Sequence, residues 1–138
     1  MPATVIADLS GSVVELGKKR TLDNLLRTVR FFSSEVEVYS WQENILPVRD
    51  ISDMKPGGKS SLSLLCDFMN SNGNKRFLVI SDGHFDARDS LPPLGAKLTT
   101  VALGADADIY ALKRISGEER CFMPENIRAA FDSASYNE

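Results

Sequence analysis

Apolar residues along this chain form two kinds of pattern that alternate from one end to the other. A continuous apolar run, typical of a strand covered on both faces, occupies residues 77–80, and the mostly apolar residues 4–7 and the segment 98–103 predict two further strands. Apolar residues at helical spacing predict four amphipathic helices, which carry Leu22, Leu25, Leu26, Val29 and Phe32; Leu62, Leu65, Phe68 and Met69; Ile109, Leu112 and Ile115; and Ile127, Ala130, Phe131 and Ala134. Strands that alternate with helices indicate a mainly parallel sheet with helices on both faces.

Shorter segments complete the predicted sheet. Residues 36–41 are rich in β-forming residues and predict a strand, and residues 121–123 predict a final short one. Residues 45–48 contain Pro47, which lacks the N–H that a sheet ladder needs. We therefore place this strand at a sheet edge, in an antiparallel hairpin across residues 42–44.

Together these elements predict a single α/β domain over residues 1–138, with a frayed tail at 135–138. The expected architecture is a three-layer Rossmann-like fold with a central, mostly parallel sheet of about six strands and one antiparallel edge strand. Asp106 is in position to cap the third helix. Residues 84–95 are polar and contain two prolines, so any helix there must be short.

Charge and composition narrow the function. The formal net charge is -3, and the basic triplet at residues 18–20 is expected to be a solvated helix face. Nucleic acid is therefore an unfavourable partner, because phosphate binding needs a concentrated basic surface. The first strand begins almost at Met1, which leaves no room for a signal peptide, and no apolar run approaches a membrane span, so we expect a cytoplasmic protein. Cys66 and Cys121 lack metal-type spacing and are expected to be reduced and buried.

The candidate chemistry begins directly after the first strand, where Asp8, Ser10 and Ser12 alternate with other residues. One carboxylate and two hydroxyls are hard oxygen donors that suit magnesium or manganese. An Asx or Ser turn that caps the next helix would account for the same residues. Two further features should meet this turn at the carboxyl edge of the sheet: the glycine loop, residues 57–61, and Asp82 at the end of a buried strand.

These three motifs, in this order, resemble the von Willebrand factor A (vWA) domain family and its metal-ion-dependent adhesion site (MIDAS). The resemblance covers nearly the whole chain. It implies that Ser10 and Ser12 bind a divalent cation, Mg²⁺ or alternatively Mn²⁺, while Asp8 and Asp82 supply negative charge directly or through water. The family's loop threonine is replaced by serine, and we align Ser60 to it, with Ser61 as the fallback.

The resemblance also implies how such a site works. An open position on the cation accepts an acidic side chain from a partner protein, without any catalysis. Partner contacts are expected at Gly11, Lys59, Ser61, Gly83 and His84. Single-domain bacterial members of the family suggest an AAA+ ATPase or a phosphorylation enzyme as the partner. Because the site is expected to face solvent outside the core, removing its carboxylate with Asp8→Ala should leave the fold intact.

Two enzyme interpretations compete with this one. Residues 53–60 nearly match a phosphate-binding loop in which Lys59 and Ser60 would hold a nucleotide and Asp82 would bind magnesium. Asp53 stands where that pattern requires its first glycine, which would place a carboxylate beside the phosphates. The other interpretation makes Asp8 the nucleophile of a haloacid-dehalogenase-like phosphatase, but Ser10 occupies the position of the required general acid.

Overall fold

The computed structural model describes residues 2–85 and 97–135. Its strands are β1 (Thr4–Asp8), β2 (Glu37–Trp41), β3 (Ile45–Pro47), β4 (Phe77–Ser81), β5 (Leu98–Ala102) and β6 (Cys121–Phe122). Its α-helices are α1 (Lys18–Phe32), α2 (Leu62–Ser71), α3 (Ile109–Ser116) and α4 (Ile127–Ala134). Short 3₁₀ segments cover Gly11–Gly17, Ile51–Asp53, Glu118–Arg120 and Pro124–Asn126.

The strands form one sheet in the order β3-β2-β1-β4-β5-β6. Strand β3 runs antiparallel to β2, and the other neighbouring pairs are parallel. The predicted α/β class, the mostly parallel sheet and its antiparallel edge strand are therefore confirmed. With β1 and β4 side by side at the centre, their carboxyl ends meet at one edge of the sheet.

Alternate side chains of the central strands enter two separate cores. Val5 and Leu78 pack with α1 and α4, whereas Ile6 and Val79 pack with α2 and Trp41 on the opposite face. A strand covered on both faces favours apolar residues on both sides, which explains the continuous apolar run of β4 and the mostly apolar β1. The helices on the two faces make the fold three-layered, as predicted.

Both borders of the sheet are short. One border is β3, a strand of three residues, in which Pro47 lies opposite Tyr39 of β2. At the other, β6 contributes only two residues, Cys121 and Phe122, which pair with β5. The hairpin predicted from Pro47 is confirmed.

Several local expectations need correction. Asp108, not Asp106, caps α3, because its carboxylate accepts a hydrogen bond of 3.0 Å from the Ala111 N–H. Both cysteines are free but only half-buried. Ser135, expected to begin a frayed tail, accepts a hydrogen bond from the Ala3 N–H, and residues 136–138 lie outside the described part of the chain.

The polar segment at residues 84–95 falls mostly outside the described residues, so the expectation of a short helix there stays a prediction. Across residues 2–85 and 97–135, no helix combines the length and the apolar character that crossing a membrane requires.

Thr99 offers a test of the packing of β5. Among the described residues, its hydroxyl is the one buried side-chain oxygen or nitrogen without a hydrogen-bond partner. An unpaired buried hydroxyl costs free energy, so Thr99→Val should raise the free energy of unfolding by about 1 kcal/mol in urea denaturation. The matched control is Thr100→Val, because the Thr100 hydroxyl lies 3.0 Å from the Ser116 hydroxyl and its loss should destabilise the protein. Equal effects at both positions would contradict this interpretation.

Candidate metal-binding site

The candidate site lies where β1 and β4 end side by side. Asp8 is the last residue of β1, and Asp82 directly follows the last residue of β4. The turn after β1 carries Ser10 and Ser12, and the glycine loop before α2 carries Ser60. The structure thus brings all five residues predicted as metal-binding to one place, although their role as ligands stays a prediction.

Asp8 forms the buried centre of the site. Its Oδ1 accepts hydrogen bonds from the Ser10 N–H at 2.9 Å and from the Ser60 hydroxyl at 2.6 Å. Its Oδ2 accepts one from the Ser81 hydroxyl, also at 2.6 Å. Burial raises the pKa of the Asp8 carboxyl, even though these three hydrogen bonds act in the opposite direction. Ser81 was not predicted as part of the site.

The two serines of the turn present their hydroxyls together. The Ser10 and Ser12 Oγ atoms lie 3.1 Å apart, and the Ser12 hydroxyl donates a hydrogen bond of 2.6 Å to Asp82 Oδ2. Adjacent ligands of an octahedral Mg²⁺ ion, each about 2.1 Å from the metal, are separated by about 3 Å. The hydroxyl pair therefore has the spacing that one such ion requires.

The glycine loop is fastened to the turn after β1. The Gly11 N–H donates to the Gly58 carbonyl at 2.9 Å, and the Gly57 N–H donates to the Leu9 carbonyl at 2.8 Å. These contacts bring the buried Ser60 hydroxyl onto Asp8. Ser61, the fallback ligand, instead caps α2 by accepting a hydrogen bond from the Leu64 N–H. Ser60 is therefore the loop hydroxyl that faces the site.

The same loop geometry disfavours the nucleotide-binding interpretation. A phosphate-binding loop follows a strand and turns its N–H groups toward the ligand. Here the loop follows the 3₁₀ segment Ile51–Asp53, and the Gly57 N–H is already bonded within the protein. The Ser60 hydroxyl donates to the Asp8 carboxylate. In a phosphate-binding loop, the corresponding serine would instead bind a magnesium ion beside the phosphates.

Lys18 is the largest difference between expectation and structure. Predicted to be a solvated residue of the basic triplet, it is instead fully buried, with none of its surface exposed. Its Nζ lies 2.9 Å from Asp82 Oδ2 and 2.8 Å from Asp106 Oδ1. Burial alone would lower the pKa of Lys18, but the hydrogen bonds to Asp106 and Asp82 outweigh it and the pKa is raised. The Lys18 hydrogen bond in turn lowers the pKa of Asp106.

Neither Lys18 nor Asp106 carried a signal as a site residue. Lys18 lies in a run of charges that would ordinarily be solvated, and Asp106 was expected to cap a helix. The available hint was Gly104, which follows a buried strand and leaves space beside it. Only the three-dimensional structure shows that the Lys18 stem fills this space.

The residues predicted to contact a partner are placed unevenly. Gly11 and Lys59 are exposed, whereas Ser61 is a helix cap and Gly83 is buried. The His84 backbone N–H donates to Asp82 Oδ1 at 3.1 Å, and its Nε2 lies 2.9 Å from the Asp106 carbonyl. His84 therefore supports Asp82 and keeps its partly exposed ring at the rim. The role of these five residues in partner binding stays a prediction.

The expectation that the site lies outside the core is wrong. Asp8, Ser10, Ser60 and Asp82 are all buried, and Ser12 is half-buried. The two carboxylates have no exposed surface, whereas Gly11 in the turn after β1 is exposed. Substituting Asp8 therefore affects buried hydrogen bonds as well as any bound ion.

The donor set is compatible with a divalent cation but differs from a carboxylate or histidine cluster. Among residues 2–85 and 97–135, no three His, Cys, Asp or Glu side chains come together as a metal-binding group. The pair of hydroxyls from Ser10 and Ser12, backed by Asp8 and Asp82, is of the oxygen type that Mg²⁺ and Mn²⁺ accept. The residues therefore fit such an ion, with hydroxyls rather than carboxylates on the outer side.

Comparisons with known proteins support the fold. No protein-family model and no curated protein matches the chain. Two solved structures of proximal thread matrix protein 1 (PTMP1) from the mussel byssus do resemble it. One, crystal form 2, superimposes with a TM-score of 0.66 at 14% identity. The other, described with a zinc-occupied MIDAS motif, gives 0.68 at 13%.

In both comparisons 96% of this chain is covered, but it spans only 48% of the mussel chain. At such low identity the likeness is one of fold. The three-layer, vWA-like architecture predicted from the sequence is confirmed by it.

Proposed function

We propose that this chain is a protein-interaction module that depends on a divalent cation bound at Asp8, Ser10, Ser12, Ser60 and Asp82. The observation that carries the proposal is the pair of Ser10 and Ser12 hydroxyls, 3.1 Å apart above two buried carboxylates. A structure of the same fold with a zinc-occupied MIDAS motif adds support, because it shows that the fold can hold a divalent metal.

The bound ion would supply positive charge at the outer surface of the site. Ser10 and Ser12 would hold it through their hydroxyl oxygens, with Ser60 and the two carboxylates behind them. Oxygen donors favour Mg²⁺ or Mn²⁺, whereas zinc is bound mainly by nitrogen and sulfur ligands. We therefore propose Mg²⁺ as the ion, with Mn²⁺ as the alternative.

The proposed partner is a protein that presents an Asp or Glu side chain to the ion. Two large apolar side chains near the site residues in sequence or space are exposed: Val14, two positions after Ser12, is 63% exposed, and Tyr110 is 84% exposed. Tyr110 lines a pocket of about 120 Å³ together with Gly83, which follows Asp82. Exposed aromatic residues such as Tyr110 are of a type enriched at protein interfaces. From the family resemblance we propose an AAA+ ATPase or a phosphorylation enzyme as the partner.

The proposal includes no catalytic step. Both Asp8 oxygens are engaged by hydrogen-bond donors, so this carboxylate is not free to act as the nucleophile of a phosphatase. The structural neighbour is named as a matrix protein, which is consistent with a binding role.

Isothermal titration with MgCl₂ and MnCl₂ tests the cation site. Ser12→Ala removes a proposed ligand and should weaken binding about tenfold or more, since each lost ligand removes a direct metal contact. The matched control is Ser63→Ala, which changes an exposed position of α2. This variant should bind the ion with the affinity of the unaltered protein. Equal affinity of Ser12→Ala and the unaltered protein would contradict the proposal.

ATP separates this proposal from the nucleotide-binding alternative. Titration of ATP in excess Mg²⁺ should give no binding, and Lys59→Gln should leave the affinity for Mg²⁺ unchanged, because the exposed Lys59 side chain is not among the proposed ligands. In a phosphate-binding loop, by contrast, the lysine contacts the phosphates. ATP binding that Lys59→Gln abolishes would move the function to the glycine loop.

A further inference from the structure

A lysine ammonium lies inside the candidate metal site. Lys18 Nζ is 2.9 Å from Asp82 Oδ2, the same oxygen that accepts the Ser12 hydroxyl at 2.6 Å. It also contacts both carboxylate oxygens of Asp106, at 2.8 and 3.0 Å. Burying a charge is costly unless it is paired, and here the pairing is with two carboxylates.

The fold makes specific room for this side chain. At Gly104 φ is +94°, and a Cβ added there would lie 2.7 Å from Lys18 Cε and 2.9 Å from its Cγ. The Lys18 stem therefore packs directly against the Gly104 backbone, and its direction is fixed along its length. The ammonium is held at Asp82 by packing as well as by charge.

The carboxylates of the site already have partners from the chain. Asp8 accepts from Ser10, Ser60 and Ser81, as described above. Asp82 accepts from Lys18 and Ser12 on Oδ2 and from the His84 N–H on Oδ1. Because these buried carboxylate oxygens already have hydrogen-bond partners within the chain, the site can stay assembled before any ion binds.

We infer that Lys18 is a tethered counter-cation that keeps the site assembled without a metal and lowers its affinity for a divalent cation. The inference rests on the proposed function, because it concerns the same site. An ion held by Ser12 would lie close to the ammonium on Asp82, and like charges at such short range repel strongly in a buried environment. Lys18 thus limits cation binding to conditions where the ion is abundant or where a partner carboxylate adds negative charge.

The first test replaces the charge and keeps the stem. Lys18→Met should bind Mg²⁺ about tenfold tighter or more than the unaltered protein in calorimetric titration, because the repulsion is removed and Asp82 is released. Its melting temperature should be low in EDTA and rise with MgCl₂, since the ion now supplies the missing positive charge. The melting temperature of the unaltered protein should rise less between EDTA and MgCl₂ than that of Lys18→Met, because its binding is weaker.

A second variant keeps the net charge of the cluster unchanged. The formal charge of Asp8, Asp82, Asp106 and Lys18 together is -2, from three carboxylates and one ammonium. Lys18→Met combined with Asp106→Asn leaves two carboxylates and therefore the same -2. Asp106 is 36% exposed, so its amide can be solvated, and this variant should fold even where the single variant does not. It should also bind Mg²⁺ tighter than the unaltered protein, because Asp82 no longer holds an ammonium.

The outcomes separate the inference from the proposed function. Tighter Mg²⁺ binding in the charge-matched variant supports the inference, including the case in which the unaltered protein shows no measurable binding. Equal affinity in the two proteins overturns the inference and leaves the cation site standing. If neither variant nor the unaltered protein binds Mg²⁺ or Mn²⁺, both the proposed function and the inference fall.

Discussion

Asp8→Ala is expected to lower the free energy of unfolding by about 3 kcal/mol, because it leaves buried hydrogen-bond donors without their acceptor. The donors are the Ser10 N–H and the hydroxyls of Ser60 and Ser81, all held by the one carboxylate. The loss is less than the sum of three such contacts, since the variant also removes the cost of burying a carboxylate. Urea denaturation followed by tryptophan fluorescence measures it, because Trp41 is the only tryptophan and is fully buried.

Asp8→Asn is the matched control for this prediction. It keeps the shape of the side chain and one acceptor oxygen while removing the buried negative charge. We therefore expect a clearly smaller loss of stability than for Asp8→Ala, together with weakened Mg²⁺ binding. If Asp8→Ala unfolds at the same urea concentration as the unaltered protein, the hydrogen bonds to Asp8 do not contribute to the stability of the fold.

Gly83→Ala should be at least as damaging, with a loss of about 3 kcal/mol or more, because the backbone has neither the conformation nor the space for a side chain. At Gly83 φ is +79°, and an added Cβ would lie 2.6 Å from the Asp108 carbonyl oxygen. Relief requires moving the backbone that follows Asp82 away from α3. Thermal unfolding measures the loss, and Mg²⁺ titration should show weaker binding at a displaced Asp82.

Gly17→Ala measures the strain of the left-handed conformation without a clash. Gly17 has a similar φ of +72°, but an added Cβ meets nothing within 4 Å. Its substitution should therefore cost only the left-handed penalty of about 1–2 kcal/mol. Equal losses at Gly17 and Gly83 would show that the contact with Asp108 relaxes freely.

The sheet, and the edge at which the carboxyl ends of β1 and β4 meet, could be predicted from the sequence because burial on both faces leaves a clear apolar pattern. Strands buried on both faces favour runs of apolar residues, so residues 4–7 and 77–80 could be recognised as buried strands without a structure. Pro47 could be placed at an edge because it lacks an N–H. Once parallel strands were inferred, the meeting of Asp8 with Asp82 followed from the geometry of such sheets.

The rest of the site depends on contacts between distant residues that no local pattern records. Lys18 and Asp82 are 64 positions apart, and Lys18 and Asp106 are 88 apart. A lysine beside other charged residues predicts a solvated face, and only the packing of the Lys18 stem against Gly104 reverses that prediction. In the sequence Ser81 is only the end of a strand. Its place in the site depends on the hydrogen bond to Asp8, which lies 73 positions away.

The short borders of the sheet restrict how a partner can bind. Many peptides are recognised by adding a strand to an open sheet edge, which requires a row of free backbone donors and acceptors. Here one border is interrupted by Pro47, and the other is a strand of two residues, Cys121 and Phe122. Such borders also resist the edge-to-edge stacking through which sheets aggregate. The proposed interaction is therefore expected to use side chains at the carboxyl edge rather than backbone pairing.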